Sequence, residues 1–191
     1  WNINMIYHDI KRKLEIENLV PNLNFRSNLD DIFKEADIVT LHVPLNKSTE
    51  KLVNSRLLEL MKPNSHLINT ARGTVLDLDA LLLLLEERKV KINFALDVFP
   101  QEPISGAYLE KIKQIKNQQP DLRIILMPHN ASADANTRGK MVKLFLENII
   151  KLIQSSSIDD LKEINIIPEQ KSKLLKSDWI IEDYWNNKNM E

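Results

Sequence analysis

The 191-residue chain is 43% hydrophobic and 28% charged, with 26 basic and 27 acidic residues and a net charge of -1. That is enough apolar material for one good core or two small ones, and no excess of one sign to favour nucleic acid or an anionic membrane. The absence of cysteine excludes a disulfide framework and a thiolate metal site, and favours an intracellular, here cytoplasmic, setting with no metal centre expected.

The chain opens on Trp1 rather than Met, which points to a start other than the native one. No signal peptide is visible there. Residues 3–7 read as a strand, ending in "YHDIKRK". Residues 29–36 are a short helix that Asn28 can cap. "DIVTLHVP", 37–44, is a strand stopped by proline. "NSRLLELMK" is a helix capped by Asn54 or Ser55, with Pro63 just beyond it. "HLINT" is the next strand. Asp77 or Asp79 then opens a leucine-rich helix through Arg88, whose run 81–85 is too short for heptads and reads as core. "NFALDVF" is another buried strand. Residues 114–119, "QIKNQQ", read as a polar surface insertion. "LRIILMPH", 122–129, is the last strand. Ser132 or Asp134 opens a long amphipathic helix to about residue 153, with Met141, Leu144, Phe145, Ile149 and Leu152 on one face. The longest apolar run, 80–85, cannot span a bilayer.

Short apolar strands alternating with helices indicate a parallel sheet with helices on its faces, an α/β fold. Its strands are expected near 3–7, 37–42, 65–69, 93–97 and 122–127. After residue 154 the chain turns polar, with isolated Trp179, Tyr184 and Trp185 and no sustained period. The organisation expected is one α/β domain over 1–154 and an extension over 155–191.

Ligands of such sheets bind at the carboxyl ends of the strands. Those ends carry Asp9, Val43-Pro44, Thr70-Ala71-Arg72, Asp97 through Glu102, and His129. An arginine is always charged in a protein, and its charge at the end of a buried strand calls for an anion or a paired carboxylate. Taken singly, each residue has an ordinary reading: Arg72 as a surface ion pair, Glu102 as a turn residue, His129 as a helix cap. His8, His42 and His66 carry no catalytic expectation.

"ADIVTLHVPLNKSTEKLVNSRLLELMKPNSHLINTARGTVLDLDAL", "ALDVFPQEP" and "PHNAS…TR" together resemble the nucleotide-binding domain of the D-isomer-specific 2-hydroxyacid dehydrogenases, nearest the fungal glyoxylate/hydroxypyruvate reductase-like branch. The resemblance covers about residues 3–153, with the three motifs in family order. It implies an incomplete Rossmann-like, doubly wound parallel sheet, with 155–191 as a returning piece of the substrate-side domain. It implies reduction of a small 2-oxo acid to the D-2-hydroxy acid by hydride from a nicotinamide cofactor, and a homodimer in the full-length protein.

The same resemblance implies that Arg72 pairs with the substrate carboxylate, that His129 donates a proton to the carbonyl oxygen, and that Glu102 bonds the other imidazole nitrogen. It places Val43 and Pro44 at the adenosine end of the cofactor. Thr49, Thr70 and Asp97 fall toward the nicotinamide end, with Ala71, Arg72 and His129 also bordering the cofactor.

Asp9 would take the adenosine ribose hydroxyls and repel a 2′-phosphate, which favours NAD. Lys11, Arg12 and Lys13 leave NADP open, or are simply a solvated turn. Two departures matter. Gly73, Gly106 and Gly139 are the three glycines, against an average usage of about 7%, so no phosphate-cradling glycine loop is present. Asp134 stands where the family more often has threonine. This chain alone is therefore expected to be inactive. The alternative reading is a non-enzymatic remnant, or an NAD-sensing, co-repressor-like interaction module.

Overall fold

A computed structural model describes residues 3–130 and 133–154. The extension expected at 155–191 and the Ser132 cap lie outside these residues. The chain divides into two compact units, 1–130 and 131–191.

The first unit is built from parallel strands, as its alternating pattern requires. Strands β1 (Met5–Tyr7) and β2 (Leu23–Phe25) pair in parallel as one sheet. Strands β3 (Ile38–Leu41), β4 (His66–Asn69), β5 (Asn93–Leu96) and β6 (Ile124–Leu126) form a second sheet in the order β3-β4-β5-β6. The strands expected in one sheet thus lie in two, because β1 hydrogen-bonds β2 and does not pair with β3.

The helices of this unit are α1 (Leu14–Leu19), α2 (Leu29–Glu35), α3 (Ser55–Leu60), α4 (Leu78–Glu86) and α5 (Gly106–Gln118). Asn28, Asn54 and Asp77 each accept a backbone N–H at the start of α2, α3 and α4. Helix α5, with Ser105 as its cap, corrects the reading of 114–119 as a surface insertion: Gln114 to Gln118 are its last turns. Helix α1 and strand β2 also occupy a stretch for which the sequence suggested nothing.

Sequential strand order joined by right-handed crossovers requires α3, α4 and α5 to lie on one face of the second sheet. They do form one layer, with α2 against α3, α3 against α4 and α4 against α5. The register aligns Val39, Leu67, Phe94 and Ile124 across the sheet, and Leu41, Asn69, Leu96 and Leu126 two residues on. These rows face the helix layer and, with Leu57, Leu58, Leu81, Leu82 and Leu85, make the core. The intervening row, Thr40–Ile68–Ala95–Ile125, is exposed or half-buried.

The described part of the second unit is helix α6 (Ala135–Gln154). Asp134 takes the Thr137 N–H at 2.8 Å and its hydroxyl at 3.0 Å, so the aspartate at this position serves as the helix cap. Its carboxyl is held below the ordinary range mainly by that backbone bond. Among the described residues no helix is long and apolar enough to cross a membrane.

The leucine run of α4 separates buried from surface positions cleanly. Leu82 is fully buried and Leu83 is 47% exposed. Leu82→Ala is expected to lower unfolding free energy by about 2–5 kcal/mol, and Leu83→Ala by about 1 kcal/mol or less. Equilibrium denaturation of the two variants checks the pair.

Candidate active site

Because β3 to β6 run in one direction, their carboxyl ends share a rim, and the residues that follow them meet there. After β4 the chain turns sharply at Asn69-Thr70-Ala71-Arg72. Asn69 is fully buried, and a buried amide must satisfy its polar atoms internally. Its Oδ1 accepts the Ala71 N–H and its Nδ2 donates to the Arg72 carbonyl, both at 3.0 Å. The turn is therefore braced from inside, which presents Arg72 at the surface. The guanidinium donates to the Ala71 carbonyl at 2.7 Å, leaving other N–H donors of its fork for a ligand.

After β5 the backbone runs through Asp97 to Glu102. The Asp97 amide donates to the Asn69 carbonyl at 3.0 Å, which ties this segment to the arginine's turn. Its half-buried carboxylate has no partner among the described residues. The Glu102 carboxylate is doubly held. Oε1 accepts the Phe99 N–H at 3.1 Å, and Oε2 lies 2.8 Å from His129 Nδ1.

His129 follows β6 and adopts a left-handed backbone with φ 50°. A carboxylate at Nδ1 selects the proton-bearing state of that nitrogen, so Nε2 is the atom free to exchange a proton with a ligand. Both side chains remain partly open, 45% for His129 and 39% for Glu102. The hydrogen bond from His129 is the main influence holding the Glu102 carboxyl below the usual carboxylate range. The Phe99 N–H and the charges of His129 and Arg72 act in the same direction, against partial burial.

Arg72, Glu102 and His129 thus gather at one rim. Thr70 is exposed there and Ala71 is buried in the turn. Val43 packs against the core. The Pro44 carbonyl accepts the Thr49 hydroxyl at 2.6 Å, and that hydroxyl oxygen accepts the Asn46 N–H at 2.9 Å. Thr49 therefore braces its own loop, and its hydroxyl proton is committed there.

At the end of β1, the Asp9 carboxylate accepts the Lys11 N–H at 3.2 Å, which leaves carboxylate lone pairs for two ribose hydroxyls. The basic triplet beside it is not one cluster. Arg12 forms a two-point pair with Glu17, at 2.9 and 2.7 Å, and Glu17 also accepts the Tyr7 hydroxyl at 2.7 Å. The Arg12 and Tyr7 bonds pull the Glu17 carboxyl down to about 2. His8 bonds the Arg26 carbonyl and His42 bonds Thr40, local roles apart from the Glu102–His129 pair.

Residues that sequence reasoning overlooked are Asn69, Gly73 and the Phe99 amide. The first two lie inside the "NTARG" stretch, so the motif contained them without disclosing what they do. Two carboxylates suit the two ends of a dinucleotide: Asp9, after β1 of the smaller sheet, for ribose, and Asp97, at the β3–β6 rim, for a carboxamide. None of the three glycines lies in a turn that could cradle its phosphates: Gly73 belongs to a 3-10 turn, and Gly106 and Gly139 to helices.

Three comparisons bear on this site. The sequence pattern of the D-isomer specific 2-hydroxyacid dehydrogenase NAD binding domain matches residues 1–131. The glyoxylate reductase of Thermofilum pendens is 34% identical over 178 residues, covering 92% of this chain and 50% of that protein. The glyoxylate reductase of Aeropyrum pernix is 36% identical over 154 residues, covering 81% and 43%. Among solved structures, a glyoxylate reductase from Paecilomyes thermophila superposes with TM-score 0.67 at 30% identity, over 88% of this chain and 46% of that one. The D-lactate dehydrogenase of Lactobacillus jensenii, solved with NAD+, gives TM-score 0.62 at 28% identity, over 77% and 44%. The chain spans about half the length of the curated relatives it matches.

The His129–Glu102 bond makes a pH prediction. In His129→Ala the Glu102 carboxyl loses its main partner and titrates higher, toward the ordinary glutamate value of 4.5. A depressed carboxyl contributes stability that is present above the unfolded value and lost as pH falls through the folded one. Wild type therefore loses this increment on acidification below 4.5, and the variant has less of it to lose. Carboxyl-carbon NMR of Glu102 and acid unfolding curves of the two proteins check both parts.

Proposed function

Because the chain belongs to the D-isomer specific 2-hydroxyacid dehydrogenase family, through its NAD binding domain, we propose that the complete enzyme reduces a small 2-oxo acid of the glyoxylate or hydroxypyruvate class to its D-2-hydroxy acid. The observation that carries this reading is the 2.8 Å His129–Glu102 bond on the strand-end rim, with Arg72 near enough for its charge to act on Glu102. The similarity to proteins named glyoxylate reductase supports the substrate class.

The nicotinamide cofactor, when bound, supplies the hydride. The chain's own residues supply the rest. Arg72 uses its free N–H groups for a two-point contact with the substrate carboxylate, which fixes the acid end and the orientation of the carbonyl beside it. His129 Nε2 gives a proton to the carbonyl oxygen as that carbon is reduced. Glu102 keeps the ring oriented and its tautomer fixed through Nδ1. Thr70, Ala71 and Asp97 border the nicotinamide end, Asp97 through its unpaired carboxylate. Val43, Pro44 and Asp9 border the adenosine end. Thr49 acts here by shaping the loop after Pro44.

The cofactor read as preferred is NAD over NADP. Asp9 would repel a 2′-phosphate, and Arg12, the one arginine of the basic triplet, is already engaged by Glu17. A cytoplasmic homodimer is the proposed working form of the complete enzyme.

In the complete enzyme, His129→Ala should lower kcat by about 100-fold or more while NADH affinity stays close to wild type. Steady-state rates with glyoxylate and NADH, alongside NADH titration by fluorescence, measure both. An unchanged kcat contradicts the role given to His129.

Residues 1–191 assayed alone should not oxidise NADH with glyoxylate measurably, because no glycine turn in this chain holds the pyrophosphate. Turnover on the order of 10 per second from the purified chain would refute that account.

A further inference from the structure

We propose that Gly73 is a positioning residue: its missing side chain lets the turn that carries Arg72 rest directly on the Phe99–Pro100 backbone, and this contact sets the arginine in register with Glu102 and His129. The inference rests on the reading that these three residues act together.

The requirement at Gly73 is one of space. Its φ is not positive, so its backbone conformation is open to any residue. A Cβ built there would overlap the Phe99 carbonyl carbon and oxygen and crowd Pro100 N. These are backbone atoms, which cannot rotate away as a long side chain would. Phe99 and Val98 are both buried, at 7% and 2% exposure, so the strand end has little room to retreat. A Cβ at Gly106 or Gly139 would meet nothing within 4 Å, so the close approach is particular to Gly73.

The consequence for the site follows from what Phe99 does with its two polar backbone groups. Its carbonyl lies against Gly73, and its N–H donates to Glu102 Oε1 at 3.1 Å. On the far side of the contact, the buried Asn69 amide holds the Ala71 N–H and the Arg72 carbonyl. The arginine's turn is thus clamped between Asn69 and Phe99. The same Phe99 that touches the turn also anchors the carboxylate bonded to His129. A side chain at position 73 would push Phe99 away and pull its N–H off Glu102, while displacing Arg72.

Glu102 reports such a movement, because His129, the Phe99 N–H and Arg72 all bear on its ionisation. The test is the pH titration of the Glu102 carboxyl by NMR in the full chain, comparing wild type with Gly73→Ala and with Gly106→Ala as the open-space control. The expected result is an upward shift of the Glu102 midpoint in Gly73→Ala and none in Gly106→Ala. A folded Gly73→Ala protein that titrates like wild type overturns the proposal, even if its melting temperature has fallen.

If Gly73→Ala does not fold, the reciprocal measurement decides. In Glu102→Ala, a change at an exposed side chain, the proposal requires the Phe99 amide and the Gly73 amide and Hα resonances to move. Gly73 signals left at their wild-type positions overturn it. Neither readout needs turnover. An inactive complete enzyme with the expected NMR shifts counts against the proposed reaction, whereas unmoved shifts count against Gly73.

Discussion

Four parallel strands in chain order, β3-β4-β5-β6, constrain almost everything else in the larger unit. Parallel pairing fixes one direction for the sheet, and right-handed crossovers then allow only one layer for α3, α4 and α5. That layer has to be apolar toward the sheet, which is why α4 is nearly all leucine, with Leu78, Leu81, Leu82, Leu84 and Leu85 buried. The same direction brings every strand's carboxyl end to one rim. Residues far apart in the chain, such as Arg72 and His129, become neighbours of Glu102 without any local sequence signal bringing them together.

How much of this the sequence disclosed depended on how local the cause was. Asn28, Asn54 and Asp77 were legible as caps because a side chain bonding its own helix needs only a short stretch of chain. Helix α1 was not: it has no side-chain cap and buries no residue. Strand β2 is three residues long and only half-buried, too short for a period. Helix α5 buries only Ile112 and Ile115, so its polar face dominated "QIKNQQ". At the rim, motif resemblance singled out Arg72, Glu102 and His129, and Glu102 lies 2.8 Å from His129 in the fold. The brace made by Asn69 and the contact at Gly73 were illegible, because each depends on what another part of the fold presses against that residue.

Charge near the end of β1 shows why counting residues misleads. Lys11, Arg12 and Lys13 look like one positive patch in the sequence. In the fold, Arg12 is tied to Glu17, which also takes the Tyr7 hydroxyl, and that hydroxyl accepts the Lys13 N–H at 2.7 Å. Arg12 and the Lys13 N–H are thus drawn into a small network at the start of α1, while the Lys11 N–H goes to Asp9. An arginine whose Nε–Nη2 edge is held by a carboxylate is a poorer phosphate ligand than its charge suggests, since Glu17 already offsets that charge and takes its two-point edge.

His129 has a positive φ, as do four other non-glycine residues among those described: Asn22, Lys51, Asn64 and Arg88. Asparagine and histidine are among the commoner non-glycine residues at positive φ, yet the conformation still costs roughly 1 kcal/mol or more. The residue proposed as proton donor therefore sits in a conformation that glycine adopts without that cost. Selection for thermal stability alone would favour glycine there, and the proposed proton transfer is a reason to keep the histidine. A copy of this gene released from catalysis should drift at this position earlier than at the buried leucines. The identity of residue 129 across gene duplicates would thus date the loss of chemistry separately from any loss of the fold.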